Sequence, residues 1–239
     1  LNLGEMKVLA RDLLGEKGEY WPSAQMDRIA NTANRMVYRS VTNIDPSYFG
    51  ESKRITYPAD ATEVSLDNVS YLGTSPYKVL DVAHLGTDAA VSSSNQPVSL
   101  EYIRPDEQYN SPSTLHDPHF HQYGSRFYLR WTLEGDNDLK LISVPASEVY
   151  LYVRYVRHPR TLSGSTDELL HPDNAVAATT SYAEEFHDLV LVTFTKLLTM
   201  KERRQGGEIT ELYVWVQNEV RQAENTRSNT SKMLYESPY

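Results

Sequence analysis

Val149-Tyr150-Leu151-Tyr152-Val153-Arg154-Tyr155-Val156-Arg157 decides the fold. Val149, Leu151, Val153 and Tyr155 fall on one side of an extended chain, and Tyr150, Tyr152, Arg154 and Val156 on the other. That period of two is what a strand with one buried face requires. The same alternation occurs upstream in 126–133, where Phe127, Leu129, Trp131 and Leu133 oppose Arg126, Tyr128, Arg130 and Thr132. Gly135-Asp136-Asn137 supplies a hairpin turn into 139–144, and Pro145-Ala146-Ser147 turns the chain into the quoted stretch. The spacing predicts a three-stranded antiparallel meander. Farther back, Ile55 and Tyr57 precede the turn Pro58-Ala59-Asp60, and 63–72 and 77–85 carry further strand-like runs. The span from about 53 to 157 therefore reads as an antiparallel β region.

Outside that span the period becomes helical. Met6, Leu9, Ala10 and Leu13 recur at helical spacing until 15–18 breaks the run. Pro22-Ser23 opens a second helix with Ser23 as its expected N-cap, and Met26, Ile29, Ala30, Ala33 and Val37 form its apolar stripe. The segment 159–180 reads as a polar linker anchored by Leu169, Leu170 and Pro172. Ser181-Tyr182-Ala183-Glu184 then matches a capping box. Phe186, Leu189, Val190, Phe194 and Leu197 form a stripe that Leu191, Val192, Leu198 and Met200 widen almost all round, more apolar surface than one packing face needs. Gly206-Gly207 ends this helix, and a last one runs over 208–225 with Ile209, Leu212, Tyr213, Val216 and Val220 facing a core. Residues 226–239 lack periodicity and read as an extended tail.

A helical pair at either end cannot bury its stripe unaided, so the two pairs are expected to pack together. The predicted fold is α+β. Residues 1–45 and 178–225 form a discontinuous four-helix bundle, 46–177 an inserted β-rich domain and linker, and 226–239 a C-terminal tail.

The 239 residues carry 23 basic and 32 acidic side chains, a net charge of −9. That balance argues against a free nucleic-acid binder, which needs clustered Lys and Arg. With no cysteine, disulfide scaffolds and thiolate zinc sites are excluded. No stretch approaches the ~20 apolar residues of a membrane span. The opening Leu1-Asn2-Leu3-Gly4-Glu5-Met6 lacks the basic-then-apolar pattern of a signal peptide.

Searches for chemistry mostly fail. The phosphate-loop, nucleophile-elbow and His-Glu-x-x-His patterns are missing. Glu184-x-x-His187 has the spacing of a di-iron helix but lacks the companion ligands, and a capped helix start with His187 at the surface accounts for it. The densest ligand cluster is His116-Asp117-Pro118-His119-Phe120-His121. If extended, His119 and His121 share a face that Asp117 could complete as a zinc or nickel site; Pro112 and Pro118 instead favour an exposed polar loop. Glu134, Asp136 and Asp138 are explained by the hairpin turn rather than by calcium. No catalytic residue, metal or other cofactor is expected.

Two features suggest partners. In the meander, Arg126, Tyr128 and Arg130 would lie beside Tyr150, Tyr152 and Arg154, giving a Tyr/Arg face of the kind that carries interface energy. In the tail, Met233, Leu234 and Tyr235, with Tyr239, are apolar anchors in a polar segment, suited to folding onto a partner.

The layout resembles the head-to-tail adaptors, or tail tubular protein A family, of short-tailed bacteriophages. The resemblance rests on Val8-Leu9-Ala10-Arg11, Ile29-Ala30-Asn31-Thr32-Ala33-Asn34-Arg35 and Tyr57-Pro58-Ala59-Asp60. It continues in Leu151-Tyr152-Val153-Arg154-Tyr155-Val156-Arg157-His158-Pro159, in Leu169-Leu170-His171-Pro172, and in the two closing helices and tail. It implies a virion structural protein without catalysis: a dodecameric ring joining the portal to the tail nozzle and fibres and continuing the DNA channel. It further implies that Met233, Leu234, Tyr235 and Tyr239 anchor on the portal. The acidic total suits a wall past which DNA slides. Two other classes stand beside it. One is a metal-dependent cell-wall hydrolase centred on His116, His119 and His121. The other is a glycan-binding module using Tyr128, Trp131, Tyr150 and Tyr152.

Overall fold

The computed structural model describes residues 1–15, 21–86, 97–106, 130–135, 137–142, 145, 147–172, 183–202 and 208–235, with backbone only at 202 and 228–235. The fold is α+β, and the described residues form five α-helices and two four-stranded sheets. The chain divides into two compact units, Leu1–Phe49 with Pro159–Tyr239, and Gly50–His158. The segment following Pro159, expected to belong with the β domain as far as 177, belongs to the helical unit instead.

In the helical unit, α1 (Leu3–Leu14) starts at a capping box. Asn2 Oδ1 accepts from the Glu5 amide at 2.9 Å, while Glu5 Oε2 accepts from the Asn2 amide at 3.0 Å. Gly15 ends the helix with φ +67°, a conformation that costs glycine nothing. Next comes α2 (Ser23–Ile44), where the cap position falls on Pro22 and Ser23 is the first helical residue; no side chain caps this end. Met26, Ala30, Ala33, Val37 and Val41 are buried along one face of α2. The last helices are α4 (His187–Glu202), entered through a 3-10 turn Glu184–Phe186, and α5 (Ile209–Tyr235). Ser181 and Tyr182 of the expected capping box lie outside the described residues. Helix α2 packs on α4 and α5, α1 packs on α4, and α4 packs on α5.

Two expectations about these helices are corrected. Helix α5 continues to Tyr235, so 226–235 is helical rather than extended. Beyond Val220, however, residues 221–227 are exposed except for the half-buried Glu224, which is why the sequence loses its apolar period there. His187 is 5% exposed, not at the surface, with Nδ1 3.1 Å from the Leu1 nitrogen.

The segment 159–172 is tied down by two asparagines of α2. Asn31 accepts from the Leu162 amide at 2.8 Å and donates to the Leu162 carbonyl at 2.9 Å, and Asn34 accepts from the Leu170 amide at 2.8 Å. The anchors Leu169 and Leu170 are fully buried. These buried amides satisfy backbone groups that an irregular segment cannot pair within itself.

The second unit is built from β1 (Gly50–Tyr57), β2 (Val64–Ser65), α3 (Val69–Leu72), β3 (Pro76–Gly86), β4 (Val98–Ser99), β5 (Glu101–Tyr102), β6 (Arg130–Glu134), β7 (Asp138–Leu141) and β8 (Val149–Arg157). One sheet has the order β1-β8-β3-β4 and the other β2-β7-β6-β5. The expected hairpin joins β6 to β7, with Glu134 opposite Asp138 and Gly135 at φ +60° in the turn. The expected meander does not continue. Strand β8 crosses to the other sheet and lies antiparallel between β1 and β3. Ile55, Tyr57, Val82, Leu151, Val153 and Tyr155 from one sheet and Val64, Trp131, Leu139 and Leu141 from the other share a single core. The Tyr57 hydroxyl, reached from the Leu141 amide at 3.4 Å, links the two sheets. Thr132, expected on the polar face, is fully buried.

Candidate interaction surfaces

Alternation in β8 places Leu151, Val153 and Tyr155 in the core and leaves Tyr150 and Tyr152 half-buried and Arg154 exposed on the outer face. Their neighbours are not those expected. Arg54 on β1 stands opposite Tyr152, with its guanidinium 5.7 Å from the centre of the Tyr150 ring, and Asp81 on β3 stands opposite Arg154. Asp81 also accepts from the Ser99 hydroxyl at 2.6 Å. Arg130 lies in the other sheet, ion-paired to Glu101 at 2.9 Å, so the six-residue Tyr/Arg face is not continuous. Arg126 and Tyr128 lie outside the described residues. The outer face that does form joins Arg54, Tyr150, Tyr152 and Arg154. Arg54 was within reach of the sequence, since Ile55 and Tyr57 already fixed the inward side of β1 and left position 54 outward.

Trp131 is buried, and its indole N–H donates to the Leu100 carbonyl at 3.2 Å. Its ring packs against Tyr102 at 4.8 Å. It does not present a stacking surface to a sugar, which removes one of the residues on which the glycan-binding alternative was built.

The helical unit carries a second surface, which the sequence signalled only as the excess apolar width of α4. A groove of about 590 Å³ is lined by Leu13 of α1, by Val192, Thr195, Lys196, Thr199 and Met200 of α4, and by Glu208, Glu211, Leu212 and Trp215 at the start of α5. Its lining mixes apolar residues (Leu13, Val192, Met200, Leu212 and Trp215) with polar and charged ones, and Lys196 Nζ sits 3.3 Å from the centre of the Trp215 ring as a cation–π contact. Leu13 is 64% exposed and Val192 39%.

A third cluster ties α5 to the rest of its unit. The Tyr48 hydroxyl donates to Glu185 Oε1 at 2.7 Å and accepts from Arg227, whose guanidinium also lies 5.1 Å from the centre of the Tyr48 ring. Burial, together with Glu185 and Glu224, pushes the Tyr48 phenol well above its ordinary pKa, so it remains a neutral donor.

Asp167 shapes the turn beneath α1. Its Oδ2 accepts from the Ser163 amide at 2.7 Å and the Gly164 amide at 2.8 Å. Burial opposes the charge on this carboxylate. The two amides and the Arg160 guanidinium at 3.4 Å outweigh that, holding its pKa below the usual range. The Asp167 and Ser165 carbonyls in turn accept from the Leu3 and Gly4 amides.

Among the described residues no group of three or more His, Asp or Glu side chains could hold a metal ion. The cluster His116, Asp117, His119 and His121 lies outside them, as does Tyr239. Met233, Leu234 and Tyr235 are placed on the last turns of α5. Among the described residues no helix is long and apolar enough to cross a membrane.

No protein-family model matches this chain, and a search of curated proteins finds no significant match.

Proposed function

We propose that this chain is a structural subunit of a phage neck, an adaptor that forms a ring between portal and tail and performs no catalysis. The observation that carries the reading is where unburied apolar surface lies. Among the described residues, six of the nine exposed large apolar side chains (Val8, Leu9, Leu13, Val192, Ile209 and Val214) belong to α1, α4 and α5. A folded body that keeps so much apolar surface on one set of helices is suited to burying it against other protein. In this reading α1, α2, α4 and α5 form a four-helix bundle that supplies the ring wall, with a dodecamer as the expected assembly. The net charge of −9 keeps phosphate from adhering as DNA passes through the lumen. The outer face of Arg54, Tyr150, Tyr152 and Arg154 serves a neighbouring subunit, the nozzle or a fibre. The end of the chain, with Met233, Leu234, Tyr235 and Tyr239, docks on the portal.

The test is capture of the full chain on purified cognate portal, compared with a chain ending at Asn225. The full chain is expected to be retained, and the shortened one to bind at least about tenfold more weakly, a difference of ~1.4 kcal/mol. Equal retention removes the role of the chain end. No retention of either removes the adaptor reading.

A further inference from the structure

The outward side of the strands β1, β8 and β3 holds its cations in a line. Arg54 on β1 stands opposite Tyr152, and Arg154 lies two residues farther along β8. Lys78 on β3 stands opposite Val156, two residues beyond Arg154. Arg54, Arg154 and Lys78 therefore occupy successive diagonal positions across three strands, and all three are exposed. Diagonal neighbours in an antiparallel sheet are about 7–8 Å apart. That is within the Debye length of about 8 Å at physiological salt, so the three charges repel one another. Among the described residues of these strands, Asp81 is the one carboxylate on this side, and it already accepts from the Ser99 hydroxyl. Arg154 and Lys78 form no ion pair among the described residues. Arg54 is steadied by the Tyr150 ring, a contact that uses none of its five N–H donors and limits the rotamer freedom it loses on binding.

A row of cations on a chain of net charge −9 is complementary to a carrier of the opposite sign. Geometry selects its shape. An extended segment rises about 3.4 Å per residue, so alternate side chains stand about 6.8 Å apart on one side, close to the diagonal spacing. Residues three or four apart on a helix are nearer, at about 5–6 Å. Charge selects its length. A long polyanion such as DNA would set most of its phosphates against an acidic body, and three phosphate contacts leave binding weak at physiological salt.

We infer that this face receives an extended acidic segment of another protein, with carboxylates at three alternate positions, one each for Arg54, Arg154 and Lys78. Tyr150 and Tyr152 flank that row and supply the contact area that charges alone do not. This deepens the adaptor reading, which assigns the face to an interface, and rests on it in that respect alone.

Fluorescence anisotropy with the full chain and a labelled Thr-Glu-Thr-Glu-Thr-Glu-Thr peptide tests it without a portal. At low salt the peptide is expected to bind at least about tenfold more tightly than its glutamine counterpart, and the affinity is expected to fall as salt rises. Arg54→Gln/Arg154→Gln is expected to weaken binding by at least about tenfold with circular dichroism unchanged. Arg221→Glu, which alters the net charge by the same amount at an exposed position of α5, is expected to leave it as it was. A peptide with its three glutamates four residues apart is expected to bind several-fold more weakly. No binding of the alternating peptide overturns the inference, as does equal binding of the glutamine peptide or an unchanged affinity in the arginine variant. Equal affinity for the widely spaced glutamates overturns the extended geometry. Tighter binding of a thymidine oligonucleotide puts nucleic acid in place of the acidic protein segment. Each of these results can fail with portal capture intact, and portal capture can fail with each of them intact.

Discussion

Asn31 illustrates how a polar residue on a buried helix face can be worth more than an apolar one. It is 6% exposed, and its amide pairs with both the N–H and the C=O of Leu162. Asn31→Ala leaves two buried backbone groups without a partner and is expected to destabilise the helical unit by about 2–4 kcal/mol, read from denaturant midpoints. Asp167 makes a different kind of prediction. Its folded pKa lies below its unfolded value. The stabilisation is therefore fully present above the unfolded value, near 3.9, and is lost as pH falls through the folded one. Thermal melts from pH 7 downward are expected to show an acid loss of stability that is shallower in Asp167→Asn. An unchanged acid slope in that variant removes the assignment. Neither role can be read from the sequence, where Asn31 and Asn34 look like polar interruptions of the α2 stripe and Asp167 like part of a polar linker. Their partners lie more than a hundred residues away for the asparagines, and within a tight turn for the aspartate.

Strand β8 and helix α5 divide what the pattern of a segment reveals from what it hides. Period-two alternation identified β8 and its inward face, because side-chain direction is set by local geometry. It did not identify the strands beside it, since alternation is the same whichever neighbour pairs. Proximity in sequence favoured β7. The structure pairs β8 with β1, where Gly50 faces Val156, and with β3. In α5 the opposite error arises: apolar periodicity stops at Val220 while the helix does not. Past Val220 the described residues 221–227 are exposed apart from the half-buried Glu224, and Arg227 contacts Tyr48 and Glu224. Amide hydrogen exchange in the isolated chain is accordingly expected to be slow over 212–220 and markedly faster over 221–227. Equal protection across both halves in a monomer contradicts that picture.

The ends of the chain came back together in one unit, Leu1–Phe49 with Pro159–Tyr239, while the β unit between them has its own core. The helix pairs and the inserted β region were legible from periodicity; the groove was legible only as the surplus apolar width of α4. Each unit is expected to fold without the other. Residues 50–158 expressed alone should give a cooperative melt and dispersed amide resonances. The chain with 51–157 replaced by a short Gly/Ser linker should retain helical circular dichroism. A disordered 50–158 fragment contradicts the division.

That second design is feasible because of one pairing. The chain leaves the helical unit into β1 and returns from β8, and these strands are adjacent, with Gly50 across from Val156. Hydrogen-bonded strands lie about 4.8 Å apart. The entry and exit points therefore nearly coincide, and the helical scaffold experiences the whole insert as a small gap to bridge. Such an insert behaves as a cassette: it can be lengthened, exchanged or lost in evolution, or replaced with a reporter at the bench, with little strain on its host.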